Sequence, residues 1–535
     1  MDDLLVKYVG ERGLEVVGDA VKGQKTLATR SFSRGDIILA IPALHCFPVR
    51  SNEKEQTSAD APENMAVQPC TLCIQCFRAL PQRYPRCSQC HQAQYCSLQC
   101  LRKHWTTRHY FECKQQPGDA WIDKVAAKIK PEHRPSLRMA VGVLKSVKVD
   151  GKKGYLPQWF DVQRAAWHRL VGHRAEHPVY VINQYTEIAR VICDGIKEPD
   201  ILGVAVDDVV EALCRFGCNN FAATDNEEQV RVTGHLCSPL VSLLLNHSCL
   251  PNACFAYCGS TGEQVIKALE DINEGDEVTL SYVDGLRPRS ERQRTLEAVY
   301  FFKCQCSRCH ADGEKSHSRA DIDELLDRKS AEEQKTKGAG IPRNLPTDYS
   351  QTPRLEDWAQ KVLYAFLDYL NNRHVDREQM ERLMADSVKS LDARDLSFSA
   401  YRHWLEAQDE CLERGVVSGD EEDGESTAGL FGAWCFVSSA YVLVFYLLAY
   451  PPYHPLIGHQ CLQTAQLAWN AMQTGGSRAV VGIVLSDELV RRLALAAQSV
   501  LEVAESSENA GAGAGGKASP ASIENQVALL LSQLN

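Results

Sequence analysis

The sequence has no surplus of positive charge. Lys and Arg number 58 against 69 Asp and Glu, a formal net charge of −11 over 535 residues. Nucleic-acid binding asks for a basic face, so direct nucleic-acid contact is not expected. The acidic balance suits a basic protein partner, such as a Lys-rich segment. The first residues, MDDLLVKYVG, lack the basic and apolar regions of a secretory signal. No clean repeat period runs through the chain. One apolar stretch, Leu430 to Tyr450, is long enough to span a bilayer, which takes ~20 residues. Its surroundings argue against that: Asp420 to Asp423 stand on one flank, Ser438 and Ser439 interrupt it, and Pro451-Pro452 ends it. A helix apolar on all sides and buried in a helical domain is expected instead, with no membrane partner.

What the chain does have is cysteine, 22 residues of it. Outside the secretory route, dense cysteine reads as metal ligation rather than disulfides, and a home in the cytoplasm and nucleus follows. At ~100–200 residues per domain the length implies three or four domains. An apolar content of 44% is enough to fill their cores.

Residues 14–47 alternate as short strands, with a Ser33-Arg34-Gly35-Asp36 turn between two β-rich runs. Ser51 to Gln68 is polar and reads as a loop. Residues 119–148 and 160–217 carry helical periodicity, residues 236–283 return to strand-like runs, and helical spacing resumes from about 316. Two segments read as flexible linkers: the acidic 415–429 and the Ala/Gly/Ser-rich 506–522.

The densest cysteine run is Cys73-x2-Cys76-x10-Cys87-x2-Cys90-x5-Cys96-x3-Cys100-x8-His109-x3-Cys113. Eight soft ligands are enough for two tetrahedral zinc ions. A segment this short cannot bury an adequate core, so metal binding would supply its folding energy. Two positions stay open: His104 competes with His109, and Cys70 could replace Cys73. The module is locally basic, with Arg78, Arg83, Arg86, Arg102, Lys103 and Arg108 against one acid, Glu112. It could serve as a docking surface.

Further on, Asn246-His247-Ser248-Cys249-Leu250-Pro251-Asn252 ends the apolar run Leu240 to Leu245. Short polar groups at the end of a buried segment need partners. They can offer fixed donors and acceptors to a polar ligand. Ile272-Asn273-Glu274-Gly275-Asp276-Glu277-Val278-Thr279-Leu280-Ser281-Tyr282 and Tyr300-Phe301-Phe302-Lys303-Cys304-Gln305-Cys306-Ser307-Arg308-Cys309 follow.

Together these motifs resemble the SET-and-MYND-domain family of protein lysine methyltransferases, and the order of segments matches along essentially the whole chain. The resemblance implies an α+β multidomain fold: a β-rich SET fold with a pseudoknot, interrupted by a MYND zinc finger and a helical insert, then a Cys-rich post-SET segment and an all-helical, TPR-like C-terminal domain. The implied divisions are 1–69 and 214–284 for SET, 70–113 for MYND, 114–213 for the insert, 285–312 for post-SET and 313–535 for the helical domain.

The family pattern pairs Cys73, Cys76, Cys96 and Cys100 on one zinc, Cys87, Cys90, His109 and Cys113 on a second, and Cys249, Cys304, Cys306 and Cys309 on a third. The gap from Cys100 to His109 is one residue longer than the pattern. Asn246, His247, Lys22, Gln24, His173, Cys218-Asn219 (as a strand end), Tyr282, Tyr300 and Phe302 would contact S-adenosylmethionine. Phe221, Tyr282 and Tyr300 would wall the channel for the target lysine, with Tyr282 as the catalytic residue.

The family's cofactor loop usually reads Gly-x-Gly. Here it is Gly23-Gln24-Lys25, so Lys25 must hold a negative φ. The function implied is methyl transfer from S-adenosylmethionine to lysine in a histone or non-histone protein, as a chromatin regulator acting as a monomer. The alternative is a catalytically silent adaptor whose MYND module recruits Pro-containing peptides in transcriptional regulation.

Overall fold

A computed structural model describes residues 3–49, 70–113, 119–148, 156–195, 203–224, 232–309, 318–327, 341–342, 351–371, 375–392, 394–417, 425–475, 480–504 and 523–534. The expected loop at 51–68 and the linker at 506–522 lie outside these residues.

Among the described residues, ten strands form four small sheets. β1 (Leu14–Asp19) and β2 (Gly23–Ala28) make an antiparallel hairpin in which Val17 faces Lys25. The Asp19 carboxylate accepts the backbone N–H groups of Val21 and Lys22, both at 2.9 Å, and closes the turn. Gly23 holds φ +77°, a value that favours glycine. Lys25 lies inside β2 and is not among the positive-φ residues, so the missing second glycine imposes no backbone strain here.

β3 (Ile37–Pro42), β8 (Ala253–Cys258) and β9 (Glu263–Ala268) form one sheet in the order β3-β9-β8. β4 (His45–Pro48), β5 (Asn220–Thr224) and β6 (Val232–Cys237) form another in the order β4-β6-β5. The last pair is parallel: β7 (Asn246–His247) beside β10 (Thr279–Leu280). Leu14, Phe32, Ile41, Leu240, Leu244, Ile266 and Leu280 gather into the core beneath these sheets.

The apolar run before Asn246 is helical from Pro239 to Leu244, with Pro239 at the first helical position, where its missing N–H costs nothing. The expected helical insert comprises Asp119–Ala126, Arg134–Val147, Gln158–Arg169, Val179–Gly195 and Val206–Cys218. These helices share a core of Leu137, Phe160, Trp167, Ile188 and Leu213. Helix Val206–Cys218 runs across the expected division between 213 and 214.

In the C-terminal part, helices Ser318–Asp327, Asp357–Leu370 and those after them are the regular elements of the described residues, with an isolated bridge between Arg354 and Val481 in their connections. Its central helix, Glu425–Ala449, contains the long apolar run, and that run is mostly buried by neighbouring helices. The two interrupting serines find partners inside the protein. Ser438 donates to the Trp434 carbonyl at 2.9 Å, and Ser439 lies 2.8 Å from the Thr464 hydroxyl. The Trp404 ring stacks on Tyr441, centroids 4.1 Å apart. The flexible linker expected at 415–429 is corrected at both ends. Gly415 to Val417 close helix Phe398–Val417, and Glu425 to Gly429 open the next; 418–424 lies outside the described residues.

Candidate active site

The parallel pairing of β7 with β10 sets Asn246 opposite Thr279 and His247 opposite Leu280. Ser248 continues the pairing by donating its N–H to the Leu280 carbonyl at 2.8 Å. Asn252 braces the other side. Its amide donates to the Glu277 carbonyl and its Oδ1 accepts the Thr279 N–H, each at 2.9 Å. Two segments about thirty residues apart in sequence are thereby locked side by side.

Tyr282 lies two residues beyond the end of β10. Its hydroxyl donates to the Leu245 carbonyl, and its backbone N–H donates to His247 Nδ1 at 3.0 Å. The Tyr300 ring lies 5.0 Å from the Tyr282 ring, and the Tyr300 hydroxyl donates to the Tyr282 carbonyl at 3.4 Å. Phe302 faces His247 at 6.1 Å and Tyr282 at 6.4 Å. Burial, with the Tyr300 and Glu277 charges adding, pushes the Tyr282 phenol well above its ordinary pKa. It therefore stays protonated near neutral pH. Burial also pushes His247 down to about 4, with Arg292 and Lys22 adding and Cys306 opposing, so its ring is neutral.

A cavity of about 420 Å³ opens on this cluster. Cys218, Asn219, Phe221, Tyr282 and Tyr300 line it from residues 218–300, and His454, Pro455 and Leu456 from the helical C-terminal part. Its volume falls in the range of small-ligand sites. Lys22, Gln24, His173, Asn246, His247 and Phe302 are not among its lining residues. Asn246 forms a separate polar cluster, donating to the Gln24 carbonyl at 2.7 Å and to Glu277 Oε1 at 3.0 Å. Lys22 Nζ reaches Glu277 Oε2 at 2.6 Å, and the Gln24 amide donates to the Leu243 carbonyl.

His173 stands apart from both. It has φ +51°, and its ring stacks on Phe301 at 4.9 Å. Cys218 and Asn219 are not a strand end. Cys218 is the last residue of helix Val206–Cys218 and Asn219 is its C-cap, because β5 begins only at Asn220.

Three groups of soft ligands converge. The ligand atoms of Cys73, Cys76, Cys96 and Cys100 lie within 4.8 Å of one another, as do those of Cys87, Cys90, His109 and Cys113, and those of Cys249, Cys304, Cys306 and Cys309. Individual sulfur pairs, Cys76–Cys96 and Cys249–Cys309 at 3.5 Å and Cys87–Cys113 at 3.8 Å, match the ~3.8 Å edge of a tetrahedron with ~2.3 Å zinc–sulfur bonds. The cysteines are all free thiols. These groups fit zinc by donor type, number and spacing.

His104 lies outside the second group, with Nδ1 3.0 Å from the Tyr95 hydroxyl, and Cys70 lies outside the first. The extra residue between Cys100 and His109 is absorbed by a π-helical turn, Trp105–His109, the usual form of a single insertion in a helix.

Arg108 differs from the expected basic surface. It is buried, and its guanidinium donates to the carbonyls of Ala43 and Leu44 in the β3–β4 connection. The zinc-ligand segment is thereby fastened to the strands. Tyr257 adds a second tie, its hydroxyl donating to the Gln75 carbonyl at 2.6 Å and its ring stacking on Phe77.

A family model described as "SET domain" matches residues 23–283. That segment is similar to a SET domain. Curated relatives of the chain include the histone-lysine N-methyltransferase ASHR1 of Arabidopsis thaliana. It is 26% identical over 320 residues, covering 60% of this chain and 59% of the relative. The N-lysine methyltransferase SMYD2 of Sus scrofa is 29% identical over 338 residues, covering 60% and 66%. Its Homo sapiens counterpart is 28% identical over the same length. The matched part of the chain thus spans about three fifths to two thirds of these relatives. Among solved structures, a SET domain of LSMT bound to lysine and AdoHcy covers 90% of this chain and 96% of its own at 10% identity, with a TM-score of 0.28. That superposition is too loose to carry weight.

Glu277, Arg292, Asp323 and the His454–Leu456 wall escaped the sequence reading. Glu277 sits inside the quoted EGDE motif, a signal that could have found it. Nothing periodic marks Arg292 or Asp323. His454 reads from sequence as a helix-boundary residue. It does cap helix Pro455–Gln473, but it also lines the cavity.

Proposed function

We propose that this chain transfers a methyl group from S-adenosylmethionine to the side-chain amine of lysine in a protein. The observation that carries the proposal is that Tyr282 and Tyr300 line one cavity while the Tyr282 backbone N–H is held by His247 behind it. The names of the relatives support the same reaction class.

The Lys22, Glu277 and Asn246 cluster fits the cofactor's amino-acid end, because it presents a cation, an anion and an amide together. In this reading Lys22, Gln24, Asn246 and His247 hold the cofactor, with His173, Cys218, Asn219 and Phe302 as further contacts. The bound cofactor supplies an electrophilic methyl group at its sulfonium.

The chain's own residues do the rest. Phe221, Tyr282 and Tyr300 wall the approach of the lysine, and their faces attract an ammonium before it loses its proton. A dry aromatic site favours the neutral amine, the nucleophilic form. The Tyr282 hydroxyl spends its proton on the Leu245 carbonyl, so its lone pairs can accept an amine N–H and align the nitrogen. Alignment of this kind is worth ~7–11 kcal/mol in favourable intramolecular cases. A phenol with a raised pKa is scarcely ionised near neutral pH, so little basic phenolate exists, which favours orientation over proton removal for Tyr282.

Three zinc ions, on the three ligand groups described, complete the proposal. Two hold residues 70–113 as a zinc module, and the third ties the Cys304–Cys309 segment to Cys249. The acidic chain suits a basic, Lys-rich substrate, histone or otherwise, met in the cytoplasm and nucleus by a monomer. The zinc module would take Pro-containing peptides.

Incubation of the zinc-replete chain with labelled S-adenosylmethionine and a panel of basic proteins tests the reaction. Label transferred to lysine supports it; no transfer to any of them sinks it. Lys25 sits in β2 and is not among the positive-φ residues, so the loop without its second glycine supports the enzyme reading.

A further inference from the structure

We propose that Arg292 and Asp323 are positioning residues of the third metal centre, through which the helical C-terminal part controls the Asn246–Cys249 segment. The inference rests on the zinc reading above. Four thiolates round a divalent ion carry a net charge of −2, and these sulfurs are largely withdrawn from water, with Cys249 and Cys309 each 2% exposed. A buried anion needs a cation with good geometry. Outer partners of this kind also set how tightly a metal is held.

Arg292 is fully buried and reaches the sulfurs directly. Its Nε donates to Cys249 Sγ at 3.3 Å, and an Nη lies 4.0 Å from Cys309 Sγ. The same guanidinium grips Asp323 through two bonds, at 2.8 and 2.6 Å. Asp323 belongs to helix Ser318–Asp327, beyond the cysteine segment. It also accepts two bonds from Arg308, at 3.0 and 2.7 Å. Arg308 lies between the ligands Cys306 and Cys309 in sequence. It donates onward to the Ala449 carbonyl at the end of the central C-terminal helix and to the Gly285 carbonyl, each at 2.9 Å.

Both oxygens of Asp323 are therefore shared between two fully buried arginines, and the carboxylate fixes the plane of each guanidinium. With that plane fixed, the Arg292 N–H is aimed at the Cys249 sulfur. Cys249 Sγ in turn lies 3.2 Å from His247 Nε2. A change at Asp323 reaches the centre through Arg292, without Asp323 touching metal, cofactor or substrate.

The test is zinc release from the full-length chain after addition of the chelator 4-(2-pyridylazo)resorcinol. Arg292→Lys keeps the charge but removes the fork. It should release one zinc ion about tenfold faster than the wild type and the other two at the wild-type rate. Asp323→Asn should do the same, and Arg294→Ala, an exposed change on the same helix, should alter nothing. With cobalt in place of zinc, the thiolate-to-metal charge-transfer band should shift in Arg292→Lys, which a general loss of stability would not cause. Wild-type release of all three ions and an unshifted band in Arg292→Lys would overturn the inference, whatever Asp323→Asn does. A wild-type chain that binds only two zinc ions would instead overturn the metal reading beneath it.

Discussion

The backbone N–H of Tyr282 donates to Nδ1 of His247 at 3.0 Å. That bond decides the tautomer of the imidazole, because an accepting Nδ1 leaves the ring proton on Nε2. Nε2 faces Cys249 Sγ at 3.2 Å, so the proton points at a metal-ligating sulfur. Tyr282, His247 and Cys249 form one chain of contacts from the cavity wall to the third ligand group.

This chain of contacts makes metal content a readout of the site. The wild type should carry three zinc ions by elemental mass spectrometry. Cys306→Ser should carry two and lose most methyl transfer, because the Tyr300–Phe302 segment leading to Cys304 loses its anchor. Cys90→Ser should also carry two but lose stability of residues 70–113 first. A Cys306→Ser chain with full activity would contradict the anchoring role.

Arg108 fastens the zinc-ligand segment to the strands, so Arg108→Ala should cost stability rather than chemistry. It leaves the Ala43 and Leu44 carbonyls without their donor. A buried unsatisfied group costs ~1–3 kcal/mol. Calorimetric unfolding should show a lower midpoint, and hydrogen exchange within 70–113 should quicken. An unchanged midpoint with unchanged exchange would mean the segment is held elsewhere.

His454 should make the fold acid-sensitive. Burial pushes it down to about 3, with His459 adding, against an ordinary value of 6.5. The unfolded chain therefore binds the proton first. The contribution of a neutral His454 is present above about pH 6.5 and is lost as pH falls toward about 3, at no more than ~1.4 kcal/mol per pH unit. Its ring stacks on Tyr450, centroids 4.3 Å apart, and Nδ1 accepts the Leu456 N–H. His454→Phe keeps the stack and loses the cap, which costs about 1 kcal/mol. Its thermal midpoint should be lower at neutral pH and fall less steeply on acidification. An equal slope in both proteins would assign the acid sensitivity to other groups.

The zinc groups were legible in the sequence because ligand chemistry forces spacing: a Cys-x2-Cys pair sets two sulfurs on one metal. The strands of residues 14–47 and 253–268 were legible through alternation. Helix Pro239–Leu244 was not, since a short, largely apolar run reads equally as a buried strand. The buried triad of Arg292, Asp323 and Arg308 left no trace because its members meet only through tertiary contact, and charged residues in a row read as surface. Arg108 misled for the same reason, counted with a basic face though it points inward. The His454–Leu456 wall comes from a segment about 170 residues beyond Tyr282, and no local pattern records such an approach.

The central claim is that the Tyr282 hydroxyl aligns the reacting amine, and Tyr282→Phe tests it most directly. The ring stays and one hydroxyl goes, so the fold and the affinity for S-adenosylmethionine, measured by calorimetry, should hold. In steady-state kinetics on a lysine-containing peptide, kcat should fall by roughly 10²-fold, the scale seen when one preorganised polar contact is removed from an active site. A Tyr282→Phe enzyme that keeps the wild-type kcat would contradict the account.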